Sequence, residues 1–211
     1  MSFEIRAFFA TIGVLAAISA APTNAQGVRI TSDVDQVAFS VGEQNFTITR
    51  GQDAGATLQG EFAKTSRPCP EFCIQPMIAA AGVAPLGELE VLGFLENDVS
   101  AGTGLLLDAR LPDWFAKAAI PAAVNVPFAA LAAENPYQAD ILRALGAVET
   151  ADGLDFSSAR SLVIYDNGAW DEQATRAITA LIAAGYPPAM IKNYRGGLED
   201  WLHLGLSVVL P

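Results

Sequence analysis

The sequence predicts an α/β protein, a parallel sheet flanked by helices and preceded by a small N-terminal region containing a β-hairpin. Two observations carry the sheet. Leu105–Leu107 and Leu162–Ile164 are short, uninterrupted apolar runs, which suit strands buried on both faces. Segments of helical spacing lie between and around them, and helices alternating with buried strands define the class. A third observation carries the hairpin. Val37, Phe39 and Val41 alternate with polar residues, as do Phe46 and Ile48, with Gly42–Asn45 between them as a turn.

The elements follow in order. Period-two patterning runs from Arg29 to about Ala63. A lone hairpin is marginal in water, so this one is expected to pack on something else. The connector Thr65–Pro76 is too rich in proline for a long helix, though one turn fits between Pro70 and Gln75. From about Gly82 the pattern becomes helix and strand. Leu89, Leu92 and Leu95 give Glu88–Glu96 a helical face. Val124 and Val126 mark a third strand and Met190–Tyr194 a fourth. Helices are predicted at Gln138–Leu145, at Gln173–Ala184 with Gly185 as its stop, and at Leu198–Leu204 with Gly205 as its stop.

The first residues predict the compartment. Arg6 precedes an apolar stretch, Ala7–Ala21, and small residues stand at Thr23 and Ala25. This is the layout of a secretory signal cleaved after Ala25. The stretch is shorter than the ~20 residues a bilayer crossing needs, which disfavours the alternative of an uncleaved anchor. The expected division is a signal at 1–25, a hairpin and cysteine-containing connector at 26–81, and the α/β domain at 82–211. The mature protein is expected in the periplasm or outside the cell, without a membrane segment. Loss of Glu4 and Arg6 removes one charge of each sign, so the net charge stays at −11. Such acidity argues against nucleic acid as a partner, because phosphate binding relies on clustered Lys and Arg. A single histidine, His203, leaves little for a transition-metal site, and neither a metal nor a cofactor is expected.

Chemistry in an open α/β sheet collects beyond the carboxyl ends of its strands. Two strands end there in polar residues, at Asp108-Ala109-Arg110 and at Tyr165-Asp166. Asn167-Gly168-Ala169-Trp170-Asp171-Glu172 then leads into a helix. A strand, a glycine-containing loop and a helix N-terminus form an anion cradle on general grounds.

These segments resemble the rhodanese-like domain family. Leu105–Arg110 resembles its strand ending in Asp-x-Arg. Ile120–Pro127 resembles its Ile-Pro-Gly-Ala-x-Asn-x-Pro segment. Val163–Asp166 falls where the family has a strand and a catalytic cysteine, and Tyr194–Gly205 matches its Gly-Gly-x-x-x-Trp-x-x-x-Gly signature. The matches occur in family order over residues 82 to 211. Arg67–Pro76 is similar to an Arg-Pro-Cys-Pro-x-Phe-Cys-Ile-Gln-Pro segment of exported relatives, whose active loop reads much like Cys-Asn-Gly-x-Trp-Cys. Here both cysteine positions hold aspartate, Asp166 and Asp171.

The family chemistry that the resemblance implies needs a thiolate to attack sulfane sulfur, with loop N–H groups stabilising the anion. Aspartate holds no transferable sulfur, so the sequence argues for an inactive loop and against a thiosulfate or persulfide sulfurtransferase. Three roles stand open for Asp166. It satisfies the loop N–H groups itself, it joins Asp171, Glu172 and Asp108 in a cation site, or it is a carboxylate nucleophile. Asp108, Arg110 and Arg195 are read as ties between loops rather than substrate contacts, and Trp170 as a pocket wall or a core shield.

Cys69 and Cys73 are the only cysteines. In an oxidising compartment a disulfide staple is the default, and the alternative is a redox or sulfur-carrying dithiol. The expectation for the whole chain is an exported, non-catalytic binding or accessory module in sulfur or redox metabolism, its partner unidentified. The alternative is a thiol-dependent redox protein or sulfur carrier using Cys69 and Cys73.

Overall fold

The computed structural model describes residues 27–68, 71–74 and 78–211. The signal expected at 1–25 and Cys69 lie outside the described residues. Among the described residues no helix is long and apolar enough to cross a membrane.

The N-terminal hairpin is present. β1 (Val37–Val41) pairs antiparallel with β2 (Gln44–Ile48), and Phe39 stands opposite Phe46 with ring centroids 5.3 Å apart. The turn is shorter than expected. Gln44 and Asn45 join β2, and Ser40 Oγ donates across the ladder to Asn45 Oδ1 at 2.6 Å. Gly42 takes the positive φ of 57° that a tight hairpin turn requires.

A single 3₁₀ turn, Glu71–Ile74, lies in the connector. Then come β3 (Ala84–Pro85), α1 (Glu88–Phe94) continued by a π-turn over Leu95–Val99, β4 (Gly104–Asp108), α2 (Pro112–Phe115) and β5 (Val124–Asn125). α3 (Gln138–Ala144) is followed by a second hairpin, β6 (Val148–Thr150) and β7 (Gly153–Asp155). The chain ends in β8 (Ser161–Tyr165), α4 (Gln173–Ala183), β9 (Ile191–Tyr194) and α5 (Gly197–His203). Five strands form one parallel sheet in the order β3-β9-β8-β4-β5.

The apolar runs behave as buried strands should. Leu106, Val163 and Tyr165 pack on one face with Val91, Leu95 and Trp201. Leu107, Leu162 and Ile164 pack on the other with Leu142, Ala177, Ile178 and Leu181. Neighbouring residues of a strand thus enter different cores, which is why the runs show no polar alternation. The hairpin shares the first core through Val37, Phe39 and Ile48, so it does pack on the α/β layer. The chain beyond it is stitched to the segment after α5. Ser207 N donates to Thr49 O at 3.0 Å, and Gly51 N to Gly205 O at 2.6 Å.

Three features are absent from the sequence reading. β3 is a two-residue edge strand containing Pro85, which edge position alone allows. α2 is four residues long and starts on Pro112. β6 and β7 are mostly exposed, so no buried face imprints a pattern on them.

Candidate functional site

Two adjacent strand ends build the site. β4 closes on Asp108, and Arg110 stands two residues later, both fully buried. Arg110 Nε donates to Asp108 Oδ1 at 2.8 Å and Oδ2 at 3.0 Å, and Nη2 to Oδ2 at 2.5 Å. The same guanidinium reaches Ala118 O at 2.7 Å and Asn167 Oδ1 at 3.4 Å. Burial works to lower the Arg110 pKa, but the bonds and charge of Asp108 outweigh it and the pKa is raised, so this side chain stays cationic. Asn125 Nδ2 closes the strand end by donating to Asp108 O at 3.1 Å and Arg110 O at 2.9 Å. Asp108 and Arg110 are therefore ties, joining β4 to the loop before Ile120 and to the loop after β8.

β8 delivers Asp166, which is 3% exposed. Its Oδ1 accepts the Gly168 N–H at 3.1 Å and its Oδ2 the Ala174 N–H at 2.8 Å. One carboxyl thus bridges the loop to the first turn of α4 and takes two donors that face the strand end. No cation pairs with it among the described residues. Burial, then the neighbouring Asp171 charge, push its pKa up from 3.8 to about 8, against the lowering effect of the two N–H bonds. At neutral pH the carboxyl is mostly protonated.

Asp171 closes the loop from the other end. Its Oδ1 accepts the N–H groups of Glu172 at 2.7 Å and Gln173 at 3.2 Å, capping α4. Its Oδ2 accepts Asn167 Nδ2 at 2.7 Å and Gln173 Nε2 at 2.5 Å. Trp170 Nε1 donates to Glu199 Oε2 at 2.7 Å, and the Arg67 guanidinium lies 3.9 Å from the Trp170 ring centroid. Beneath the loop, Leu198 N donates to Asp166 O at 3.0 Å and Glu199 N to Asn167 O at 2.9 Å. This approach requires glycine at 197. Its φ is 60°, and a Cβ there would sit 2.6 Å from Asp166 O and from Gly168 N.

A cavity of about 110 Å³ opens over the loop, with Asp166, Asp171, Asn193 and Arg195 among its walls and Ile78 and Ala79 covering it from the connector. Arg195 Nη2 donates to Cys73 O, tying the connector to the end of β9. The structure thus brings together Asp166, Gly168, Ala169, Asp171 and Arg195 at one cavity. Asp108 and Arg110 are buried beneath the loop, and Asn167 Oδ1 joins them to it. Glu172 stands apart, exposed and 3.5 Å from Arg176. With Asp108 bonded to Arg110 and Glu172 turned to Arg176, the four carboxylates considered for a cation site do not converge. Among the described residues no cluster of three His, Cys, Asp or Glu side chains is placed to hold a metal ion.

Three residues of the site escaped the sequence reading, namely Asn125, Glu199 and Asn193. Asn125 had a signal, being the polar position of the Ile120–Pro127 segment. Glu199 and Asn193 had none, because their partners Trp170 and Ile164 O lie 29 residues away in the chain.

The doubly covered parallel sheet, the loop between β8 and α4 and the glycine turn before α5 define a class, and the sequence comparison agrees with it. A model of the rhodanese-like domain matches residues 92–204. That is more than half of the chain, which belongs to the rhodanese-like domain family. No match was found among curated proteins. Similar solved structures include a rhodanese-like domain from Anabaena sp., with 23% identity over 50% of this chain and 98% of that one, TM-score 0.36. A protein from Lactobacillus plantarum has 24% identity over 56% and 83%, TM-score 0.39. A protein of unknown function from Rhodopseudomonas palustris, described as a possible tyrosine phosphatase, has 17% identity over 62% and 88%, TM-score 0.44.

Proposed function

We propose that this chain is an exported rhodanese-like protein without sulfurtransferase activity, acting as a binding or accessory module. One observation carries the reading. At the end of β8, where the family resemblance places a thiol, the Asp166 carboxyl occupies the loop N–H groups of Gly168 and Ala174. An anion entering the cradle would have to displace that carboxyl from two donors, and no sulfur nucleophile waits for it there. Of the roles open to Asp166, self-satisfaction of the loop is the one its bonds support. The connector belongs to the same reading. Among the described residues no cysteine is free, which supports a Cys69–Cys73 staple over a carrier dithiol.

The test is thiocyanate release from thiosulfate and cyanide by the purified mature protein. None above background is expected. Asp166→Cys alone should restore little, because the new thiolate faces Asp171, whose charge raises its pKa and repels a dianionic donor. Asp166→Cys with Asp171→Asn should restore more, since Asn keeps an acceptor for the α4 cap. Turnover by the unmodified protein that disappears in Asp166→Asn would show the loop to be active. Mass spectrometry of the same non-reduced sample should find Cys69 linked to Cys73 and Gln26 as the N-terminus. A pair that stays reduced in air and takes up sulfane sulfur would favour the carrier instead.

A further inference from the structure

A second cavity, of about 410 Å³, lies beside β5, and it shares no lining residue with the cavity over the β8 loop. It is the size of a small-molecule pocket, for which ~300–1,000 Å³ is typical. Its lining is largely apolar, with Leu105, Leu107, Val126, Ile141 and Leu145 forming the walls and Arg160 the one charged residue. Arg160 is anchored through its backbone. Its N–H donates to Leu145 O at 3.1 Å, and its carbonyl accepts the Tyr186 hydroxyl at 2.6 Å. Its guanidinium is a different matter. Among the described residues it has no ion pair, hydrogen bond or aromatic ring. Every other described lysine or arginine has an acid, a carbonyl, a hydroxyl or a ring.

In a chain of net charge −11, the one charged residue lining this apolar cavity is a cation without an acidic partner among the described residues. We propose that this cavity binds a small amphipathic monocarboxylate, its apolar tail between β5 and α3 and its carboxylate on Arg160. One guanidinium matches one carboxylate in a forked pair. A dianion would find no second cation there and would meet the repulsion of the acidic surface. A second copy of the chain is disfavoured on the same ground, since both surfaces carry the same charge. The site shares no residue with the β8 loop, so it stands or falls independently of the loop's inactivity.

Titration calorimetry of the whole mature protein with decanoate, below its micellar concentration, tests the proposal. Saturable one-to-one binding is expected. Arg160→Gln should weaken it about tenfold, the size of one charge-assisted hydrogen bond. Ala144→Trp, at an exposed wall position, should abolish it by filling the space. Decan-1-ol should bind more weakly than decanoate, and decyltrimethylammonium not at all. Amide chemical shifts near Val126 and Ile141 should move and those near Asp166 should not. Arg160 is exposed, so its variant folds even if the tryptophan variant does not. Absence of saturable binding, equal affinity in Arg160→Gln, or equal binding of the ammonium probe overturns the proposal. So does a dimer that Ala144→Trp dissociates, because the cavity would then hold a second copy.

Discussion

Asp108 and Asp166 end neighbouring strands and are buried almost equally, at 0% and 3% exposure. Their surroundings could hardly differ more. Asp108 meets a guanidinium that binds it in a fork and carries its influence to Ala118 and Asn167. Asp166 meets backbone N–H groups, with Asp171 as its charged neighbour. The two positions teach that equal burial leaves a carboxyl's partners to be set by the loop around it. At β4 an ion pair holds the loops together, at a desolvation cost that the fork and the carbonyl contacts offset. At β8 the carboxyl keeps its proton, and the N–H groups that resemble an anion cradle are already taken.

The largest expected effect uses the raised pKa of Asp166. The Asp166 pKa is raised from 3.8 to about 8 by folding, so the fold binds this proton more tightly than the unfolded chain does. Its contribution is complete below pH 4 and is lost as pH rises toward 8. The amount is on the order of 5 kcal/mol across that window. Asp166→Asn cannot titrate. It leaves one N–H without an acceptor, which costs about 1–3 kcal/mol at low pH, but its stability should fall far less between pH 4 and 8. Urea unfolding of both proteins at four pH values reads the two slopes. Parallel slopes would mean that Asp166 is ionised in the fold, and the contrast with Asp108 would collapse.

Breaking the ion pair acts on the other side of the comparison. Arg110→Met leaves Asp108 buried without a cation and should cost about 3–5 kcal/mol. Adding Asp108→Asn should recover part of that loss, since the uncompensated charge is then gone. The urea midpoints of the parent, both single variants and the double variant form the cycle that isolates the pair. If the double variant is as unstable as Arg110→Met alone, the loss came from the Ala118 and Asn167 contacts rather than from the stranded carboxylate.

How far the sequence discloses all this depends on the range of each interaction. Leu105–Leu107 and Leu162–Ile164 announce themselves because burial on two faces leaves an unbroken apolar string. Asp166 is legible as a position, because a strand, a glycine loop and a helix start follow one another locally. That Arg110 reaches the loop after β8 is not legible, since Asn167 becomes its neighbour only when β4 and β8 pair. Nor does the string reveal that Arg67 stacks on Trp170, a contact across about a hundred residues of chain. β6 and β7 are missed for the opposite reason, as they bury too little to leave a pattern.

The smallest expected effect sharpens the comparison by touching β4 alone. Ala122 adopts a φ of 64°, one of two non-glycine residues with positive φ among those described. Its segment, Ile120–Pro127, carries Asn125 to the end of β4, and the family pattern that it resembles has glycine at this point. The left-handed conformation costs an L-residue with a Cβ roughly 1–2 kcal/mol. Glycine removes that strain but adds freedom to the unfolded chain, so the net gain from Ala122→Gly should be about 0.5–1 kcal/mol. For a chain of this size that corresponds to a rise in Tm of about 1–4 °C. The gain should not depend on pH, because nothing that titrates between pH 4 and 8 is altered. A Tm increment that instead grows from pH 5 to 8 would mean that strain at the β4 edge is transmitted to Asp166, and the two strand ends would then be one coupled unit.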